Sequence, residues 1–228
     1  MTRIMSEREA DLYHEIMRAI TEMQLLPGRK LTEDKLARAF QVSRARVRKV
    51  LLYLADDGIV THEPNKGAFV REPSPEEARQ IIEARLLIET HLASLASGNG
   101  SKQQYEDLRA ILDAESQALV RNDAAAAARL SGEFHLGVAK ISGHQLLLDI
   151  LHPLISRSSL VIVRYRQPDA PTCSEGDHQR ILELLMAGKT KKLVQMLTEH
   201  FGHFTSELDY TRTTEPQSLV EVLAAKRS

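Results

Sequence analysis

Between Gln41 and Val50 the chain reads Gln-Val-Ser-Arg-Ala-Arg-Val-Arg-Lys-Val, and its charged positions are spaced for one chemistry. At about 100° per residue, Val47, Val50, Leu51 and Leu54 share a helix face. Ala45 and Lys49 lie opposite it, Arg44 and Arg48 run along one edge, and Arg46 lies on the other. A face that is small in the middle and cationic at its rims suits a DNA major groove. The groove admits one helix between two rows of phosphates, and guanine O6 and N7 match the fork of an arginine. From Arg29 to Val50 eight basic residues stand against two acidic ones, a local +6 concealed by a whole-chain charge of −1. Arginine alone does not decide the matter, because a charge run on a helix is more often a solvated face.

A second set of residues sits where charge does not belong. In the stretch 75–97, Ala78, Ile81, Ile82, Leu86, Ile88, Leu92, Leu95 and Ala96 make a broad apolar stripe, with Arg85 near its centre and Glu89 close by. His135 lies beside Phe134 and Val138 toward the edge of another apolar face. His178 falls among Ile181, Leu182 and Leu185, and His200 among Leu193, Met196, Leu197 and Phe204. One inward histidine is ordinarily a satisfied core residue. Three on separate helices of one bundle predict a divalent-metal site, for zinc or nickel first, with positions left open for water or a bound molecule. The inward Arg85 predicts a small organic acid held by its carboxylate. The plainer alternative for Arg85 is an i,i+4 pair with Glu89.

These residues need elements to hold them. Leu31 packing on Leu36, with Thr32 as N-cap, predicts a short helix ending at Phe40. After a turn through Gln41 and Val42, Ser43 caps the arginine-bearing helix, which Asp56-Asp57-Gly58 stops. Ile59–His62 and Ala68–Val70 read as two strands of a wing around Pro64-Asn65-Lys66-Gly67. Ahead of them, Leu12, Ile16, Ala19, Ile20 and Met23 mark a helix over 6–23, turned by Pro27-Gly28. Arg71-Glu72-Pro73 cannot continue a central strand, and Ser74-Pro75-Glu76-Glu77 starts a new helix.

The expected fold is therefore mainly α. Residues 1–72 form a winged helix-turn-helix for DNA, and residues 74–213 an all-helical antiparallel bundle for effector binding and dimerisation. Residues 214–228 form a C-terminal tail. Helical stripes near 75–97, 102–121, 123–141, 144–166, 175–187 and 190–211 give the bundle about six helices.

With 228 residues, 43% hydrophobic content and no low-complexity tract, neither disorder nor a fibre is indicated. The single Cys173 has no partner for an intrachain disulfide or a zinc knuckle. No run approaches 18 apolar residues, and the start lacks the apolar core of a signal peptide, so the expected location is the cytoplasm, away from membranes.

The ordered motifs resemble the GntR family of bacterial regulators, in its FadR-type branch with an FCD effector domain. The likeness in the first part rests on Pro27-Gly28, Leu36-Ala37, Val42-Ser43-Arg44, Val47-Arg48, Leu54, Asp57-Gly58 and Asn65-Lys66-Gly67-Ala68-Phe69-Val70. In the second it rests on Arg85-Leu-Leu-Ile-Glu89, Phe134-His135, Ser142-Gly143, His178-Gln-Arg-Ile181, Gly188 and His200. It spans about residues 10–210. The resemblance implies operator contacts at Arg44, Arg48 and Gly67, metal ligands at His135, His178 and His200, and a pocket arginine at Arg85. It also implies that the position four residues before the first histidine normally carries an Asp; here it is Ser131. Three neutral nitrogens leave a dication its full charge, so either the free protein holds no metal or an effector carboxylate completes the site. Arg46, Gln41 and Asp34 also depart from the family's usual Pro, Gly and basic residue.

The expectation is a homodimeric repressor of transcription, not an enzyme. It binds double-stranded DNA through Arg44, Ala45, Arg46, Arg48, Lys49, Lys66 and Gly67. Its effector is a small carboxylate at Arg85 and Ser131, beside a metal on His135, His178 and His200. Dimerisation is the family's habit, and two half-sites double the phosphate contacts. Two alternatives stay open: a metal-dependent hydrolytic enzyme using the three histidines, with Glu89, Glu133 or Asp177 as acid or base, and a regulator whose bundle holds no metal.

Overall fold

The computed structural model describes residues 5–22, 24–167 and 176–211. Cys173, Met23 and the tail expected at 214–228 lie outside the described residues. The head opens with α1 (Glu7–Thr21), where the Glu9 carboxylate accepts the Ser6 N–H at 3.0 Å. Then follow β1 (Lys30–Leu31), α2 (Glu33–Ala39), α3 (Arg44–Asp56), β2 (Val60–Glu63) and β3 (Gly67–Val70). Ser43 Oγ accepts the Arg46 N–H at 3.3 Å and so starts α3 where expected. Thr32 occupies the N-cap of α2, but its side chain makes no capping bond.

The wing has a third strand beyond the expected two. β1 pairs antiparallel with β3, which sits between β1 and β2. Two residues are too few to show a period, so only pairing reveals β1. In the wing turn Asn65 and Gly67 have φ of 60° and 100°, conformations that favour these residue types. Gln41, in the turn between α2 and α3, also adopts a positive φ of 53°, which explains why glycine suits that position.

Among the described residues six further helices follow: α4 (Pro75–Ala96), α5 (Lys102–Val120), α6 (Ala124–Ile141), α7 (Gln145–Tyr165), α8 (Asp177–Met186) and α9 (Thr190–Ser206). Ser74 Oγ accepts the Glu77 N–H at 3.1 Å with Pro75 in the first turn, and Ser101 with Gln104 closes a capping box on α5. Helix α4 packs against α6, α7 and α9, while α5 lies on α6 and α8. The last helix ends about a turn short of the expected 211. Beyond it, Leu208 makes a bridge to Arg166 instead of continuing the stripe.

The α4 stripe also shifts. Its buried face is Ala78, Ile81, Ile82, Arg85, Glu89, Leu92, Ala93 and Ala96, whereas Leu95, expected inside, is exposed. Helix α7 is long and apolar enough to cross a membrane by length and composition, with a mean hydropathy of 1.6. Here it buries Leu151, Ile155, Val161 and Tyr165 against protein. Its Leu160 belongs to the core of the head, together with Leu12, Ile16, Val50 and Leu54.

Candidate functional site

Helix α3 presents Arg44, Ala45, Arg48 and Lys49 to solvent, with Arg46 half-buried at the rim, and the wing exposes Lys66 and Gly67. All seven expected DNA residues thus lie on the surface of one head. The fold adds counter-charges that the local count of +6 omits. Glu33, at the start of α2, accepts both Arg48 Nε and Nη2, at 2.9 and 2.8 Å, and Asp34 pairs with Arg44. Glu9 of α1 reaches Lys49 at 2.9 Å, and Glu63 reaches Lys66 at 2.9 Å. The hydrogen bond from Arg48 holds the Glu33 carboxyl below its ordinary range.

In the helical domain α6, α8 and α9 bring His135, His178 and His200 together, all buried. The ring centroids are 5.1 Å (135 to 178), 5.2 Å (135 to 200) and 4.8 Å (178 to 200) apart. One ligand nitrogen from each lies within 4.8 Å of the others. The edge position expected for His135 is corrected: it lies deep in the interior, at 4% exposure.

Each ring is held from behind by a carboxylate. His135 Nδ1 lies 2.5 Å from Glu89, His178 Nδ1 2.8 Å from Glu115 and His200 Nδ1 3.3 Å from Asp177. A carboxylate on Nδ1 fixes the tautomer that leaves Nε2 able to bind a metal. At His178 that nitrogen is buried and has no hydrogen-bond partner among the described residues, so the residues present fit a divalent ion. Burial, and then repulsion from its two neighbours, pushes the His200 imidazole down to about 3, and burial also lowers that of His135. The neutral form is the one that ligates.

Arg85 does form the i,i+4 pair. Its Nε donates to Glu89 at 2.8 Å, and Nη1 donates to Ser158 Oγ of α7 at 2.8 Å. Burial alone would raise the Glu89 carboxyl, but the charge of Arg85, with hydrogen bonds from His135 and Arg85, outweighs it and holds it at about 2. Arg85 also lines a cavity of about 60 Å³, shared with Ser131, His135, His200 and Glu115. By the space one water occupies, this admits roughly four or five water-sized groups, the size of a small organic acid. Arg166 and Glu207, paired at 3.3 Å, line the same cavity.

Of the three acids considered from sequence, Glu89 and Asp177 belong to the cluster, and Glu133 is exposed and paired with Arg129. Sequence reading missed Glu115 and Ser158. A signal existed for the first: on α5 the buried stripe is Leu108, Leu112, Glu115 and Ala118, with one acid among apolar side chains. Ser158 carried none, because a serine on an apolar helix is common.

A sequence profile described as "FCD domain" matches residues 80–203, and one described as "Bacterial regulatory proteins, gntR family" matches residues 8–70. The chain is 24% identical over 204 residues to the HTH-type transcriptional repressor RspR of Escherichia coli, covering 88% of this chain and 89% of that protein. It is 26% identical over 200 residues to the HTH-type transcriptional regulator LutR of Bacillus subtilis, covering 78% and 90%. The solved structure of McbR/YncC from E. coli shares the fold with a TM-score of 0.75 at 18% identity, covering 98% of this chain and all of that one.

Proposed function

This chain belongs to the gntR family of bacterial regulatory proteins and carries an FCD domain. On that premise we propose that it binds an operator as a homodimeric repressor, and that a small carboxylate beside a divalent metal loosens its hold on DNA. The coarser part is plain: it is a transcriptional regulator, not an enzyme, and the hydrolytic alternative falls with that. The finer reading rests on one observation: His135, His178 and His200 meet in one cluster, and two of them, His135 and His200, line a cavity that Arg85 and Ser131 also line. The metal, when bound, supplies a Lewis-acidic anchor for an anion. Around it Arg85 holds the carboxylate, Ser131 offers it a hydroxyl, and the apolar walls exclude water.

Arg44, Ala45, Arg46, Arg48 and Lys49 enter the major groove, and Lys66 and Gly67 of the wing follow the adjacent backbone. Helix α7 connects the two ends. Ser158 takes the Arg85 bond, and two residues later Leu160 sits in the core of the head. Tyr165 Oη donates to the Pro73 carbonyl at 2.7 Å, and Arg157 and Arg164 pair with Glu77 and Glu72 beside the connecting segment. A ligand that draws on Arg85 therefore pulls on the helix that carries the head. A second copy is supported by exposed Leu87 on α4 and by Leu146 and Ile150 on α7, where the His91 and His144 rings lie 6.5 Å apart. Repression is supported by the name of the E. coli relative, and binding to the chromosome puts the protein in the cytoplasm.

The test measures operator binding by fluorescence anisotropy on the promoter fragment beside its own gene, with zinc, nickel or manganese and a panel of small organic acids. The expected result is a stoichiometry of two chains per site and release by one acid class. If a His135→Ala, His178→Ala, His200→Ala variant binds metal and responds to acid as the parent does, the three histidines are core residues and the pocket reading is wrong.

A further inference from the structure

The expectation drawn from Ser131 was a site of neutral nitrogens that waits for an effector's charge. The folded cluster contains three carboxylates, and their charge balance differs. Glu89 is neutralised by Arg85. Asp177 is shared between His200 and the exposed His203, at 3.3 and 3.2 Å. Glu115 is buried, at 8% exposure, and no lysine or arginine among the described residues pairs with it. Among the described residues its partner is His178, whose other nitrogen is the orphan at the cluster. A buried carboxylate without a cation is strongly unfavourable. Glu115 also lines the same cavity as Ser131, His135 and His200.

We propose that Glu115, reaching in from α5, is the anionic partner of the metal site: it orients His178, offsets the dication's charge and lets the protein hold its metal without effector. This rests on the three-histidine reading and refines it. The Glu115 carboxylate accepts the His178 Nδ1 proton, which turns the Nε2 lone pair toward the other two rings and raises its basicity. Its charge is then carried to the ion through the ring, and part of the desolvation penalty of a dication in an apolar bundle disappears. The task a carboxylate at position 131 would perform from α6 is done from the neighbouring helix. Ser131 lies one helical turn before His135, on the same wall of the cavity, so a carboxylate placed there stands near the same ion. The effector's own carboxylate is then free for Arg85, and metal and effector occupy the cavity as separate ligands.

Titration calorimetry of the full chain with Zn²⁺ alone, no organic acid present, tests this with Ni²⁺ and Mn²⁺ run in parallel. The parent should bind one ion per chain. Glu115→Gln, which keeps the shape and removes the charge, should weaken binding roughly 10- to 100-fold. It should leave the metal-free unfolding midpoint unchanged or higher, because an unbalanced buried charge has gone. Adding Ser131→Asp to Glu115→Gln should restore most of the affinity. If the parent binds Zn²⁺ and Glu115→Gln binds it equally well, the role of Glu115 is overturned while the histidine site stands. A loss that Ser131→Asp does not repair, with a lower metal-free midpoint, marks Glu115 as a packing residue and overturns it too. A parent that binds none of the three ions removes both the histidine reading and this one.

Discussion

The head and the helical domain both answer their cations and imidazoles with carboxylates, but they do so in opposite surroundings. Arg48 is 66% exposed where it meets Glu33, and Arg44 and Lys66 meet their acids in similarly open positions, whereas the Glu9 carboxylate that meets exposed Lys49 is itself largely buried. Water and salt screen such pairs, so they are weak and exchangeable. Arg85 is 7% exposed where it meets Glu89, and Glu89, His135 and Ser158 are buried with it. Neither Arg85 nor Glu89 can leave the other without stranding a charge in a low-dielectric interior. The same pairing chemistry yields exchange on one side and a fixed template on the other. On the proposed reading, a DNA phosphate displaces Glu33 from Arg48, whereas a ligand in the cavity must work around the Arg85 to Glu89 pair.

The sharpest way to break this contrast is through stability. Arg85→Ala strands the Glu89 carboxylate, and urea unfolding at neutral pH should show a loss of about 3–5 kcal/mol, while Arg48→Ala leaves the midpoint where it was. Equal small losses from both would erase the distinction. Next comes the reverse experiment on DNA. The Arg44→Ala, Arg48→Ala double variant should bind the operator fragment roughly 100-fold more weakly at fixed salt, with unchanged unfolding. Undiminished affinity would mean that α3 does not read the operator.

The smallest effect tests exchangeability itself. Glu33→Gln with Asp34→Asn removes the internal competitors of the two arginines. Operator affinity should rise by roughly two- to fivefold, since exposed pairs hold so little. A fall in affinity would show instead that the acids hold the arginines in the shape the groove needs.

Much of this was legible in one dimension, because helices write their faces at a period of 3.6 residues and their starts in single polar side chains. Val47, Val50, Leu51 and Leu54 marked the inner face of α3, and all four are buried. Ser43 and Ser74 marked two helix starts, and both make the capping bond. Arg85, His135, His178 and His200 stood out as polar groups on apolar stripes and are all buried. Boundaries were least secure where the pattern outlasts the helix, as at the end of α9, or where the element is too short for a period, as at β1.

What sequence by itself determined was the inner face of most helices, since that depends on local spacing, although Leu95 proved exposed and Glu115 buried. Which inward residues meet depends on how helices cross, and here the tertiary structure decided. It set Glu115 behind His178, 63 positions away, and Ser158 against Arg85, 73 positions away. It also placed Leu160 of the bundle in the core of the head and Glu9 of the first helix on Lys49 of the third. Ser131 shows the physical reason most clearly. Read along the chain, it is a missing charge. In the folded bundle a carboxylate from α5 reaches the same cavity, because electrostatic balance is settled by distance in space and not by separation in sequence.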